Sequence, residues 1–212
     1  MIEVRIAFLS PWHPGTGRGQ GPGADAEASR DARGLPHLPG KTLKGLLREA
    51  AVAAASLNLV EANEVTRLFG SSFEAGDGGD VPARHASHPA AMQVYSARMG
   101  ATAAEAEQWQ RWASADQPSD ANSQSGQLPA SARRHLFRTI ASTKLKDGVA
   151  ADKTLRSIEV VVPMRLTARI VCVDETSAIA VLSAAAPFVN AAGAHRSRGL
   201  GRCVVSVVSG GQ

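Results

Sequence analysis

The sequence has few aromatic residues, few cysteines and no long apolar run. Aromatic residues make up 4% of the 212 residues, with a single tyrosine among them, which argues against the base stacking of RNA-recognition motifs. The two cysteines, Cys172 and Cys203, lie in apolar runs typical of strands, so we expect buried free thiols. No apolar run reaches the roughly 18 residues of a membrane span, and no leader follows Met1. These absences predict a soluble cytoplasmic protein without membrane contact.

The chain does have enough apolar residues for a core, and a small excess of positive charge. Apolar residues make up 44%, many of them alanine, and 212 residues suffice for one large domain. The formal net charge is +4 and the pI is near 9.5, which permits nucleic acid as a partner. Three segments are basic and contain glycine: residues 40–48, 133–156 and 193–202. The second has seven Lys or Arg against two Asp, so it is more positive than the whole chain.

Apolar periodicity predicts the order strand, helix, strand, hairpin, strand, helix, strand. The predicted strands are residues 2–9, 92–99, 157–173 (with a break at Pro163) and 202–209. The predicted helices are residues 42–59, 61–69, 103–112 and 176–192, the last ending at Gly193. This order fits an α+β, ferredoxin-like (RRM-like) domain, in which two helices cover a four-stranded antiparallel sheet.

One domain spanning residues 1–212 is expected, with two additions to the sheet. Residues 114–131 are almost all Ser, Asp, Gln, Asn, Pro, Ala and Gly, a composition that predicts a disordered insertion because it lacks apolar surface. Residues 134–160 turn at Asp147-Gly148 and predict a basic β-hairpin that projects from the core.

Residues 34–48 join a glycine-rich loop to the first helix, with the sequence GLPHLPGKTLKGLLR. Pro36 and Pro39 fix φ and are expected to block regular strand pairing, whereas Gly40 permits a close backbone approach. The spacing excludes the phosphate loop of nucleotide hydrolases, because five residues rather than four separate Gly34 from Gly40.

Basic side chains follow this loop on one face of the predicted helix. Lys41, Lys44 and Arg48 recur at spacings of three and four. A helix N-terminus with a basic stripe suits a phosphate group. Segment 193–202 adds Arg196, Arg198 and Arg202 among three glycines, which predicts either close approach to a phosphate chain or a tight turn with solvated arginines. In the predicted fold the first helix and this loop share a face and form a groove, with sequence-independent, salt-sensitive contacts.

Taken in chain order, these segments resemble the RAMP superfamily of CRISPR–Cas effector subunits. Residues 35–48 look like its Pro-x-Ile-Pro-Gly-Ser-Ser-Leu-Lys-Gly-x-x-Arg signature, although Lys41-Thr42 replaces the Ser-Ser pair, and residues 68–70 look like its Phe-Gly. Residues 147–160 are similar to the thumb hairpin of type III subunits, and residues 196–202 to the C-terminal glycine-rich loop. The matches span about residues 2–208.

The resemblance implies a palm that grips CRISPR guide RNA within a type III-like effector complex. Its partners would be target RNA and other effector subunits, including copies of itself in a filament, and the hairpin would be a thumb inserted between guide and target. The expected RNA-binding residues on the palm are Lys41, Lys44, Arg48, Arg196, Arg198 and Arg202. Those on the hairpin are Arg138, Lys144, Lys146, Lys153 and Arg156.

The resemblance also implies a candidate catalytic residue. In type III backbone subunits an aspartate in the loop before the Pro-Gly motif cuts target RNA; Asp25 matches that position, with Asp31 six residues later, although the loop here is one residue shorter. A loop carboxylate could hold a divalent ion such as Mg²⁺ or assist attack by a 2′-hydroxyl. The alternative is an ordinary solvated acid.

Other roles remain open at the level of sequence. The chain could be a single cap subunit that binds the 5′ tag of the guide and has no nuclease activity. It could be a guide-RNA-processing endoribonuclease, with His13, His37 or His195, all expected in loops, as the general base. A nucleic-acid-binding module without a guide is a further alternative.

Overall fold

The computed structural model describes residues 1–15, 25–71, 88–114, 130–143, 145–146, 148–150 and 154–209. Its main sheet contains six strands, each paired antiparallel to its neighbours. These strands are β1 (Ile2–Phe8), β2 (His37–Leu38), β3 (Met92–Val94), β4 (Ala97–Met99), β9 (Arg165–Cys172) and β10 (Cys203–Ser209). Strands β5 to β8 belong to the hairpin described below.

The order of the strands is that of a ferredoxin-like sheet. It runs β10–β1–β9–β4–β2, and β3 pairs with β9 beside β4. Strands β3 and β4 pair with successive parts of β9, so together they form one strand with an interruption. Alternation in β1 buries Ile2, Val4, Ile6 and Phe8, as the sequence pattern predicted. The predicted α+β ferredoxin-like fold is therefore confirmed.

Two helices pack against each other and cover one face of the sheet. They are α1 (Gly40–Ser56) and α5 (Glu175–Ala185). Leu43 and Leu47 of α1 are fully buried, and truncating either to alanine would destabilise the fold by about 2–5 kcal/mol. Alanines at the helix interface, such as Ala51 and Ala178, are also fully buried and permit close approach.

The remaining helices lie beside this core. They are α2 (Ala62–Phe69), α3 (Ala103–Ser114) and α4 (Ala130–Arg133). Gly70 closes α2 with a φ of 87°, as its position predicted. Both cysteines are buried free thiols, as expected, and burial raises the pKa of Cys203 to about 11. In the described part of the chain no helix is long and apolar enough to cross a membrane.

Two elements differ in extent from the sequence prediction, and a third breaks where a break was expected. The helix predicted over 176–192 ends at Ala185, since Pro187 lacks an N–H donor and a 3₁₀ turn follows at Ala186–Phe188. The strand predicted over 92–99 breaks at 95–96, where the start of α1 packs against it. The strand predicted over 157–173 is two strands separated at 162–164, the expected break.

The N-terminal boundary of α1 also needs correction. The helix begins at Gly40 rather than Thr42 and ends at Ser56 rather than residue 59. Pro36 and Pro39 were expected to block pairing, but His37 and Leu38 between them form β2 and pair with β4. Proline removes a donor only at its own position, so the two intervening residues stay free to pair.

A separate hairpin leaves the main sheet, as predicted. Strands β5 (Phe137–Ser142) and β8 (Arg156–Val161) pair antiparallel along their full length. Beyond them β6 (Leu145–Lys146) pairs with β7 (Val149–Ala150), next to Gly148 with a φ of 80°. The 3₁₀ turn Arg134–Leu136 leads into β5. Of the insertion predicted at 114–131, Ser114 ends α3 and residues 130–131 begin α4; the rest lies outside the described residues.

Gly40 provides a test of the contact between α1 and the sheet. A side-chain carbon at this residue would overlap the carbonyl oxygen of Val94 and lie 3.0 Å from the carbonyl carbon of Tyr95. We expect Gly40→Ala to lower the free energy of unfolding by about 1–3 kcal/mol in urea denaturation. Gly45 is the matched control, because a carbon there meets nothing within 4 Å; Gly45→Ala should raise stability by up to about 1 kcal/mol. Equal stability of the two variants would contradict this packing.

Candidate nucleic-acid interface

The exposed side of α1 carries the predicted basic stripe. Lys41 is exposed, and Lys44 and Arg48 are partly exposed one turn apart. Burial lowers the pKa of Lys44, and the positive charge of Arg48 lowers it further. The first turn of α1 has no acidic residue, and its N-cap, Pro39, makes no side-chain cap. The helix dipole therefore adds to the positive potential at this end, although the Gly40 N–H donates to Ser96 Oγ.

The last basic loop lies beside α1. Its arginines begin a 3₁₀ turn, Arg196–Arg198, flanked by His195 and Gly199 in the left-handed conformation. Arg196 Nη1 lies 3.7 Å from Glu49 Oε2 of α1, and a cavity of about 280 Å³ separates the helix from the residues before the loop. Arg198 and Arg202 are exposed. The structure thus brings the α1 stripe and the loop together, with Glu49 as an acidic group between them.

A short segment, residues 11–15, connects this loop to the hairpin. Trp12 and Val161 of β8 exchange two backbone hydrogen bonds of 3.1 and 2.8 Å. On the other side, Ala194 N–H donates to the His13 carbonyl (2.8 Å). Gly193 makes this approach possible, because a side-chain carbon there would lie 2.7 Å from the same carbonyl oxygen at a φ of 96°. Sequence analysis placed Gly193 at the end of the helix predicted over 176–192, but that helix ends at Ala185.

Asp25 also lies against β8. Its backbone N–H donates to the Ser157 carbonyl (2.8 Å), and the Ser157 N–H donates to Asp25 Oδ2 (2.7 Å). The carbonyl of the next residue, Ala26, accepts from the Glu159 N–H at 2.9 Å. Asp25 is nevertheless exposed. The candidate catalytic carboxylate is therefore fixed to the hairpin through one oxygen, with its side chain open to solvent.

Two carboxylates that sequence reasoning left without a role hold the chain that follows Asp25. Glu159 accepts from Arg30 Nη2 (2.5 Å) and from the Ala28 N–H (3.1 Å). Asp31 accepts from the Leu35 N–H (3.0 Å) and from Gln110 Nε2 (2.8 Å). Asp31 Oδ1 also accepts from the Arg33 N–H at 2.9 Å, which is an Asx-turn, and an aspartate two residues before a turn is a sequence signal that could have revealed this role.

The hairpin presents a second basic surface. Arg138 and Arg156 are exposed and, by the pairing register, project from the same face of the hairpin near its two ends. Val149, close to the turn, is 70% exposed. Lys144 and Lys153 lie outside the described residues, and only the backbone of Lys146 is described. The hairpin arginines belong to a two-stranded sheet separate from the main one.

Of the three histidines expected in loops, His195 lies in one, whereas His37 and His13 are held by strand-like pairing. His37 lies in β2, and burial lowers its pKa, a shift that Asp31 opposes and Arg98 reinforces. His13 is 3% exposed, and its Nδ1 lies 2.6 Å from the Glu159 carbonyl. The rings of His13 and His195 are 6.2 Å apart. His13 therefore serves packing between β8 and the last loop.

Within the described residues, no three His, Cys, Asp or Glu side chains lie close enough together to hold an ion. Mg²⁺ is usually bound by one or two carboxylates together with substrate phosphates, and Asp25 would supply one such carboxylate. We derive no step through a metal.

These features define a class of domain. It is a ferredoxin-like sheet, the palm, which carries a basic helix, an arginine–glycine loop and a projecting hairpin. The family model of the RAMP superfamily matches residues 5–204. The chain therefore belongs to the RAMP superfamily, which confirms the family that residues 35–48, 147–160 and 196–202 indicated.

Solved structures of CRISPR assemblies share this fold. A chain of the type III-B Cmr-beta complex bound to cognate target RNA aligns with a TM-score of 0.63 at 11% identity, over 98% of this chain and 97% of that one. The apo state of Cmr-beta gives 0.62 at 10% identity, with the same coverage. A chain of a type IV-B CRISPR complex gives 0.56 at 15% identity, over 100% and 91%. No curated protein sequence matches the chain.

Proposed function

We propose that the chain is a guide-RNA-binding subunit of a type III-like, RNA-targeting CRISPR effector complex. The observation that carries this proposal is that the arginine loop lies beside the basic stripe of α1, with Arg196 Nη1 3.7 Å from Glu49 Oε2. It is supported by membership of the RAMP superfamily and by the fold shared with a chain of Cmr-beta bound to cognate target RNA. Such a complex works in the cytoplasm.

The guide would be held through its phosphates. Lys44 and Arg48 lie one turn apart on α1, so both can neutralise neighbouring phosphates of one strand. Arginine in the loop adds bidentate hydrogen bonds to phosphate oxygens. Because phosphate contacts do not read base sequence, one subunit could serve any guide, as a guide-directed complex requires.

The exposed carboxylate of Asp25 is assigned to cutting the target. The hairpin, acting as a thumb between guide and target, would displace a nucleotide next to the β8 edge, where Ser157 holds Asp25 at 2.7 Å. A displaced nucleotide can align its 2′-oxygen with the scissile bond. Asp25 takes the 2′-hydroxyl proton, the 2′-oxygen bonds to phosphorus, and the P–O5′ bond breaks as the leaving 5′-oxygen takes a proton from water. The products are a 2′,3′-cyclic phosphate and a 5′-hydroxyl end.

A copy count distinguishes the two structural roles within the complex. A repeated backbone subunit is present in several copies per guide, and these copies contact one another along the RNA. A 5′-tag cap is present once and lacks nuclease activity. Native mass spectrometry of the assembled complex counts the copies and therefore eliminates either the backbone role or the cap role. The guide-processing alternative needs an accessible general base. His13 is 3% exposed and does not provide one, whereas His195 is partly exposed and is the candidate that this alternative retains.

Salt dependence tests the guide-binding surface. Lys44→Ala combined with Arg48→Ala should weaken binding of a guide-length RNA and reduce the slope of log K against log salt by roughly 1.4, the release of two counterions from single-stranded RNA. Fluorescence anisotropy from 50 to 300 mM salt measures this slope. Arg111→Ala, an exposed arginine of α3, is the matched control and should leave the slope unchanged. An unchanged slope in the double variant would exclude α1 from the RNA interface.

Asp25→Ala tests the catalytic role. In the assembled complex we expect guide content to remain normal and cutting of labelled target RNA to be lost. Asp25→Asn should lose cutting too, because the amide keeps an acceptor for the Ser157 N–H but cannot take a proton. Glu27→Ala is the control, since Glu27 is an exposed acid of the same loop and should leave cutting intact. Equal cutting by wild type and Asp25→Ala would show that Asp25 has no essential role.

A further inference from the structure

The face of the main sheet opposite α1 and α5 is basic, which the sequence did not reveal. Arg5 on β1 lies directly opposite Thr167 of β9, which in turn lies opposite Arg98 of β4. Two further arginines of β9 occupy the same face, at positions 165 and 169. Cross-strand partners in an antiparallel sheet project from one face, so four arginines from three strands share this surface.

Three of these four arginines are uncompensated in the part of the chain that the structure describes. Arg5 Nε is paired with Glu3 Oε1 at 2.5 Å, and Glu3 Oε2 accepts from the Ala103 N–H at 3.2 Å. Arg98, Arg165 and Arg169 are exposed and form no ion pair with described residues. Uncompensated like charges on one sheet face repel one another, and an anionic ligand relieves that repulsion.

A cavity of about 370 Å³ opens on this face, between the start of β1, the break after β3 and the first turns of α3. Its polar lining consists mainly of Glu3, Tyr95, Arg98, Glu107, Thr167 and Arg169. Arg169 Cζ lies 4.5 Å from the centroid of the Tyr95 ring, and Tyr95 is 37% exposed. A stacked aromatic–guanidinium pair in a cavity of ligand size suits the flat face of a nucleobase.

The cavity adjoins the start of α1. The Gly40 N–H donates to Ser96 Oγ at 3.2 Å, and Ser96 lines the cavity. Ser96 and Arg98 also line a neighbouring cavity of about 210 Å³ that includes His37. The first residue of α1 is therefore adjacent to the cavity, and an RNA strand that lies along Lys41 would reach it past the sheet edge at β2.

We propose that this cavity, the Tyr95 pocket, binds one unpaired nucleotide of the guide RNA where the strand leaves α1. The base stacks on the Tyr95–Arg169 pair, and its phosphate lies against Arg98. Glu3 and Glu107 on the remaining wall repel phosphate, which orients the nucleotide with its charge towards Arg98. Stacking tolerates every base, so the pocket accepts any guide. This inference rests on the proposed guide binding.

Fluorescence of 2-aminopurine placed at successive guide positions tests the pocket, because stacking quenches this base. We expect quenching at a defined position with wild-type protein. Tyr95→Phe should keep it, because the aromatic face remains. Tyr95→Leu should abolish it and weaken binding about 5- to 150-fold, the effect of losing one stacked base. Arg169→Lys should weaken quenching with the charge retained, and Arg111→Ala should change nothing. Thermal melting of each variant controls for folding.

The outcomes separate the pocket from the guide-binding surface. If Lys44→Ala with Arg48→Ala weakens RNA binding, while Tyr95→Leu and Arg98→Ala leave quenching and affinity unchanged, guide binding stands and the pocket is overturned. If all these variants bind RNA like wild type, the proposed guide binding itself fails. If Tyr95→Leu and Arg98→Ala impair only the association of protein copies, the face binds protein and the pocket is again contradicted.

Discussion

The pairing of residues 11–15 between β8 and the last loop is the constraint on which the interface depends. Trp12 bonds to Val161 on one side, and His13 receives the Ala194 amide on the other. Gly193 is required there because its α-carbon faces the His13 carbonyl. The same strand β8 holds Asp25 through Ser157. A few backbone contacts thus fix the hairpin, the candidate catalytic acid and the arginine loop relative to one another.

A single physical principle connects the three basic surfaces. Each presents cations, most of which have no ion pair with described residues: the α1 stripe, the hairpin face and the open sheet face. Arg5 of the open face pairs with Glu3. Arg196 of the loop beside α1 lies 3.7 Å from Glu49, and that exposed pair is weak. Uncompensated positive charge destabilises an isolated domain but favours a polyanion, which is the balance expected of a subunit that works on RNA.

Local pattern was sufficient to predict much of the fold. Alternation identified β1, and the proline and glycine signals around residues 34–40 located the start of α1 to within two residues. Features that depend on distant contacts were not predictable in this way. The break between β3 and β4 arises from the backbone of Gly40 packing against Val94. The hydrogen bond from Ser157 to Asp25 joins residues 132 apart in the chain. The arginines of the open face come from separate strands, and only the strand register places them on the same surface.

The central claim is that this chain binds a CRISPR guide, and the RNA that co-purifies with it tests that claim most directly. The chain would be expressed with its partner subunits and a CRISPR array, and the bound RNA would be sized and sequenced. The account predicts RNA of discrete length that carries a repeat-derived end and variable spacer sequence. Heterogeneous cellular RNA without a common end would contradict it and indicate a nucleic-acid-binding module without a guide.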